Sequence, residues 1–296
     1  MLNPSFPLAG PPVLITFPAT PATPAIALVC DSPHSGTDYP PDFGFAVEVA
    51  ELRQCEDTHV QWLWDAVPQV GGTLVHATFA RSYIDPNRGE HDIDVAMLAD
   101  TWPGKAAPLA RTLELGNGLV SSRTPSRQPI YARRLSAREV AHRVDHYWRP
   151  YRHALARALE AAAPQGPRWH LNLHSMPSNA YERLGRVAPG PLADVVLGNL
   201  NGQSCSAAFT ELVAGAFRRR GYSVAINDPY AGQDLLREFG VPSRGHESLQ
   251  IELNRAIYLD ERTRKLLPRA SAVRDDIASV LGEIAAHIRS VTPAHS

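Results

Sequence analysis

Short apolar runs that stop in polar, turn-forming residues alternate along this chain with stretches of helical periodicity, and that alternation confines it to the α/β class. Residues 25–30 (AIALVC) are wholly apolar and run into Asp31-Ser-Pro-His-Ser-Gly36, the pattern of a buried strand whose carboxyl end opens into a loop. From Asp57, apolar residues recur at Val60, Leu63, Trp64 and Val67, which predicts a helix ending before Gly71-Gly72 and then a strand over 73–77. Ser136-Ala-Arg-Glu139 is a capping-box pattern that opens a long helix toward Ala163, kinked near Pro150. Further strands are predicted over 169–173, 222–226 and 248–253, and helices over 206–220 and 270–288. The expectation is one domain, from residue 25 to 296, with a mostly parallel or mixed central sheet flanked by helices. Residues 1–24 hold seven prolines, which bars both helix and central strand and predicts an extended arm. Residues 86–130 lack sustained periodicity and read as an insertion or lid.

Charge and composition exclude several classes of function. Lys+Arg 29 against Asp+Glu 30 leaves a formal charge of -1, so no field is available to hold a polyanion, and nucleic acid is not an expected partner. The apolar run at 25–30 is too short to cross a bilayer, and no Lys or Arg precedes Arg53 to form a signal-peptide n-region. The expectation is a cytoplasmic chain without membrane association. Cys30, Cys55 and Cys205 have no paired spacing and read as small buried hydrophobes.

The chemistry-bearing residues cluster where an α/β sheet binds ligands, at the carboxyl ends of strands. Two predicted strands end in histidine, His34 and His174, each among small or turn-forming residues that let backbone or a metal approach. A hydrolytic zinc site needs a third ligand, commonly a carboxylate, and leaves one position open. Glu56 and Asp57 stand at the head of the following helix, with Asp57 the preferred ligand and helix capping its alternative role. Glu252 lies in the otherwise apolar run 249–253, where an ionised carboxylate is costly unless it is paired or functional; Arg255 is the nearby candidate partner. The run Arg81-Ser-Tyr-Ile-Asp-Pro-Asn-Arg88 offers Arg81, Asn87 and Arg88, and a guanidinium is a natural bidentate partner for a substrate carboxylate. Tyr230 and His246 lie in a third polar cluster.

Together, Ser32-Pro-His-Ser-Gly36, Glu56-Asp-Thr-His59, residues 81–88 (RSYIDPNR), Leu173-His-Ser175, Asp228-Pro-Tyr-Ala-Gly232 and Gln250-Ile-Glu-Leu-Asn-Arg255 resemble the N-formylglutamate amidohydrolase family from about residue 25 to 262. The resemblance implies a fold related to zinc-dependent exopeptidases and amidases (phosphorylase/hydrolase-like), with one Zn2+ per chain held by His34, Asp57 and His174. It also implies hydrolysis of an N-acyl amino acid, most simply N-formyl-L-glutamate to L-glutamate and formate at the end of a histidine-degradation route. Glu252 would be the general base. Arg88, with Asn87 or Arg81, would grip the substrate carboxylate, and Tyr230 or His246 would stabilise the oxyanion. The competing expectations are a zinc amidase or carboxypeptidase acting on another N-acyl amino acid or a peptide, and a non-catalytic binding protein of the same fold. A His/carboxylate set does not select zinc by affinity alone, so another divalent metal also suits it. The partner expected is a small molecule with a free carboxylate. The oligomeric state is not set by these residues.

Overall fold

The computed structural model describes residues 10–19 and 23–292. Of the expected N-terminal arm, residues 1–9 and 20–22 lie outside the described residues, whereas Val13–Thr16 forms a first strand, β1. The others are β2 (Leu28–Ser32), β3 (Thr73–Ala77), β4 (Arg168–Met176), β5 (Val195–Gly198), β6 (Val224–Ile226) and β7 (His246–Asn254). They form one sheet in the order β1-β3-β2-β4-β7-β5-β6. β1 is therefore an edge strand, the position that proline-rich flanks tolerate. β2, β4 and β7 run parallel, while β5 is antiparallel to β7 and parallel to β6, so the sheet is mixed. No helix among the described residues is long and apolar enough to cross a membrane.

The described residues group into two compact units, one within Met1–Leu14, Pro33–Thr58 and His76–Ala154, the other within Ile15–Ser32, His59–Val75 and Leu155–Ser296.

In the second unit the central strands have two unlike faces. Leu171, Leu173, Leu249, Ile251 and Leu253 point to one side, where they share a buried apolar cluster with Phe209, Val213 and Phe217 of helix Ala207–Arg218. Ile277, Val280, Leu281 and Ile284 of helix Ala270–Val291 complete it. The alternate residues face the other way: His170, Asn172 and His174 of β4 lie in register with Ser248, Gln250 and Glu252 of β7. All six are buried. Sequence reading ends the β4 strand at Leu173 because polar residues follow, but the strand continues to Met176 and contains His174. A two-residue period with a polar buried face resembles a strand running into a loop. β5, a four-residue strand, and helix Asp234–Phe239 have no sequence counterpart above, being too short to show a period.

The helix expected after Asp57 is a single turn, Val60–Leu63, followed by a 3-10 turn at Pro68–Val70. Its residue before the first turn is His59, in a left-handed conformation at φ 67, and not Asp57. Val60, Leu63, Trp64 and Val67 are nonetheless all buried, so the periodicity located a core face rather than a long helix.

In the first unit, helix Ala137–Arg143 passes into a π-helical turn, Val144–Trp148, just ahead of Pro150, and continues as a helix from Arg149. The π turn takes up the irregularity that a proline without an N–H imposes. Arg143 is buried there. It donates to the Tyr83 carbonyl at 3.0 Å and the Tyr131 hydroxyl at 2.7 Å, and its guanidinium lies 4.1 Å from the Tyr83 ring centroid. The capping box is formed: Ser136 Oγ accepts the Glu139 N–H at 3.2 Å, and the Glu139 carboxylate accepts the Ser136 N–H at 2.8 Å. Ser136→Ala is expected to lower stability by about 1 kcal/mol in chemical denaturation. Within residues 86–130, Asp92 ties helix Ala110–Leu115 down, accepting from the Leu109 N–H at 2.9 Å and Thr112 Oγ1 at 2.6 Å. Gly36 is required by close packing: a Cβ there would sit 2.3 Å from the Phe79 carbonyl oxygen. It is backbone, not a ligand, that this glycine admits.

Candidate active site

His34 lies two residues past the end of β2, and its two ring nitrogens have different surroundings. Nε2 is 2.7 Å from Asp85 Oδ1, and Nδ1 is 3.4 Å from Asp57 Oδ2. The Asp57 N–H also donates to the His34 carbonyl at 2.9 Å, which fixes the two segments against each other. Asp85 is a crowded acceptor. Its Oδ1 also takes the Asn87 N–H at 2.8 Å, its Oδ2 takes Arg81 NH2 at 2.6 Å, and Arg88 Nε lies 3.8 Å away. Burial alone would raise the Asp85 carboxyl, but Arg81, His34 and Arg88 outweigh it and hold it well below the usual carboxylate range. An ionised Asp85 can only accept, so the His34 Nε2 proton is committed to it, and Nδ1 is the ring nitrogen that faces Asp57.

Glu56 and Asp57, adjacent in sequence, separate cleanly. The Glu56 carboxylate accepts from the Tyr39 hydroxyl at 2.6 Å, Thr58 Oγ1 at 3.0 Å and Arg53 Nε at 3.3 Å. Burial and the Glu56 charge together push the Tyr39 phenol up. Asp57 instead joins His34 and His174: each offers one ligand atom, and the three atoms lie within 4.8 Å of one another. The residues of the group are all buried. Two imidazole nitrogens and a carboxylate oxygen are the donor set of a catalytic divalent-metal site with an open position, and a buried His34 ring nitrogen facing a carboxylate at 3.4 Å is an arrangement suited to a cation. The residues therefore fit a metal ion.

On the polar face of the sheet, Glu252 is the register partner of His174, one strand across. Its Oε1 accepts from Gln250 Nε2 at 3.0 Å. Arg255, the ion-pair candidate from sequence, donates to Ser175 from Nε (to Oγ, 3.1 Å) and NH2 (to the carbonyl, 3.2 Å). Glu252 does not stand alone in an apolar segment, as linear reading suggests; Gln250, Asn172 and His174 share its face.

The Arg88 guanidinium is buried. It donates from Nε to the Asn117 carbonyl at 3.0 Å and from NH1 to the Asn87 carbonyl at 3.2 Å. Burial, with Arg111 and Arg81 adding to it against the opposing pull of Asp85, brings Arg88 down to about 9. A further anion beside it would relieve that cost. Arg81 is committed to Asp85, which places it behind His34. Tyr230 packs beside Met176, Ala180 and Val196, close to the carboxyl end of β4. His246 is different: it begins β7, paired with Arg168 at the amino end of β4, six residues from Glu252. At ~3.3 Å per residue that is about 20 Å along the strand, too far for an oxyanion role at Glu252's end. Asp85 and Asn172 are the functional-looking residues that sequence reading missed.

A sequence profile of the N-formylglutamate amidohydrolase family matches residues 26–259. The N-formylglutamate deformylase of Pseudomonas putida is 28% identical over 219 residues, covering 72% of this chain and 74% of that protein. That of Pseudomonas aeruginosa is 27% identical over 243 residues, covering 80% and 84%. The crystal structure of the N-formylglutamate amidohydrolase from Ralstonia eutropha JMP134 superposes with a TM-score of 0.91 at 47% identity, over 95% of this chain and 99% of that one. With the family profile spanning most of the chain, and the fold shared at that level of identity, this protein belongs to the N-formylglutamate amidohydrolase family of amide-bond hydrolases.

Proposed function

We propose that the protein is a zinc-dependent amidohydrolase that cleaves N-formyl-L-glutamate with water to L-glutamate and formate. The observation that carries the reading is the convergence of His34, Asp57 and His174 ligand atoms within 4.8 Å in a member of this family. The relatives named as N-formylglutamate deformylases support the substrate. The family resemblance supports a place at the last step of a histidine-degradation route.

When bound, zinc would supply Lewis acidity at the scissile carbonyl and bring the pKa of the attacking water toward ~7. The chain's own residues do the rest. Asp85 holds the His34 Nε2 proton and so keeps its Nδ1 ready as a ligand. Glu252 takes a proton from the attacking water at its carboxylate and returns it to the leaving nitrogen, so that formate and an amine result. Arg88, with Asn87, holds a substrate carboxylate through charge-assisted bonds and so fixes the amide in place. The Tyr230 hydroxyl is the candidate donor to the developing oxyanion.

The test is elemental analysis with a formate-release assay. Purified protein is expected to hold about one zinc per chain and to release formate from N-formyl-L-glutamate, with slower release of acetate from N-acetyl-L-glutamate. His34→Ala and His174→Ala should each strip the metal and the activity together. Metal retained at full stoichiometry in both variants would overturn the assigned ligands, and preference for another acyl group would overturn the substrate.

A further inference from the structure

The polar face of the sheet carries a continuous line of hydrogen bonds leading to His174. Ser248 Oγ is 2.7 Å from His170 Nδ1, and His170 Nε2 is 2.8 Å from Asp31 Oδ1. Asn172 Nδ2 donates to the same Asp31 Oδ1 at 2.7 Å, and Asn172 Oδ1 is 2.7 Å from His174 Nε2. Every member is buried, on β2, β4 or β7.

The donor and acceptor roles follow from Asp31. Asp31 Oδ1 accepts from the amide nitrogen of Asn172, which turns the amide oxygen toward His174. That oxygen can only accept. His174 Nε2 must therefore carry the proton, so in the neutral ring Nδ1 is the atom that holds the lone pair. We infer that Asn172, anchored by Asp31 and His170, is a positioning residue that fixes His174 as the Nε2–H tautomer and presents Nδ1 as its metal-binding atom. The inference rests on the metal site proposed above.

The arrangement makes the two histidines of the group alike in ligating atom and unlike in backing. His34 is backed by the carboxylate of Asp85, a charged acceptor, whereas His174 is backed by a neutral amide whose direction is set one residue further out. A charged acceptor needs no orienting; an amide does, because turning it over exchanges its acceptor for a donor. This gives the buried Asp31–His170–Ser248 line a purpose that packing alone does not, since apolar residues would fill the same face without the cost of desolvating polar groups.

The experiment combines long-range 1H–15N correlation of the histidine rings in metal-free protein with zinc affinity from chelator competition, on wild type, Asn172→Leu and Asp31→Asn. Wild type is expected to show His174 as a single Nε2–H tautomer. Asn172→Leu removes both amide groups at similar volume; it should leave His174 as a mixture of tautomers, with the His34 signals unchanged, and weaken zinc binding on the order of 10- to 100-fold. Asp31→Asn keeps the packing and carries the test should Asn172→Leu not fold. It lets the Asn172 amide turn, and should shift His174 toward the Nδ1–H tautomer with a several-fold loss of zinc affinity. A wild-type His174 in the Nδ1–H form, or a folded variant with an unchanged tautomer and unchanged zinc affinity, would overturn the inference. A wild type with the Nε2–H tautomer that binds no zinc would sink the metal site and leave the tautomer assignment standing.

Discussion

Glu252→Gln is expected to lower kcat on the order of 10² to 10⁴-fold while leaving zinc content and folding near wild type. The substitution keeps the side chain's size and its acceptor oxygen, so the 3.0 Å bond from Gln250 Nε2 can persist, but the group can no longer take a proton from water at neutral pH. Placement on the strand beside His174, on the same face, is the observation behind the role proposed for this carboxylate as the base. The competing account makes Glu252 half of a buried ion pair. It expects the neutral variant to be destabilised by ~3 to 5 kcal/mol, with activity lost through unfolding. Tm, zinc stoichiometry and single-turnover rate on one preparation separate the two. A folded, zinc-loaded variant with near-wild-type turnover would remove Glu252 from the mechanism.

What could be read from the sequence was whatever depends on residue type and short spacing. His34, His174 and Glu252 stand in or beside apolar runs, so their chemistry is visible against their neighbours. Asp85 is hidden because its meaning lies in a partner 51 residues away, and within its own octapeptide the arginines are the more conspicuous groups. Asn172 is hidden for the opposite reason: inside a strand, a polar residue reads as a solvent-facing alternate until the sheet is known to be covered on that side. Along the chain Asp57 is preferred over Glu56 on slender grounds, since adjacent carboxylates differ mainly in what each meets. Tyr39, Thr58 and Arg53 engage Glu56, and the two histidines meet Asp57. His246 shows how sequence clusters mislead: it lies in the same strand as Glu252 but at that strand's opposite end.

Arg88→Ala is expected to reduce kcat/KM for a substrate with a free carboxylate by roughly 30- to 5,000-fold, the equivalent of the ~2 to 5 kcal/mol lost when one partner of a buried charge pair is truncated. The matching amide or ester of the same substrate should lose far less, because it presents no charge for Arg88 to neutralise. Arg88→Lys should recover little. The wild-type side chain uses Nε and NH1 to hold the Asn117 and Asn87 carbonyls, which positions the guanidinium, and an ammonium on a flexible stem cannot occupy both while also meeting a carboxylate. Those two carbonyls also define the control. If Arg88 were there only to satisfy them, Arg88→Ala would cost stability and reduce turnover of charged and uncharged substrates equally, so equal losses would assign it to structure. Arg81→Ala provides the contrast. Its guanidinium bonds to Asp85, which in turn holds His34, so its loss should weaken zinc binding without changing the preference for a free carboxylate. Selectivity lost at Arg88 and metal affinity lost at Arg81 would separate two arginines that lie seven residues apart and look equivalent in the sequence.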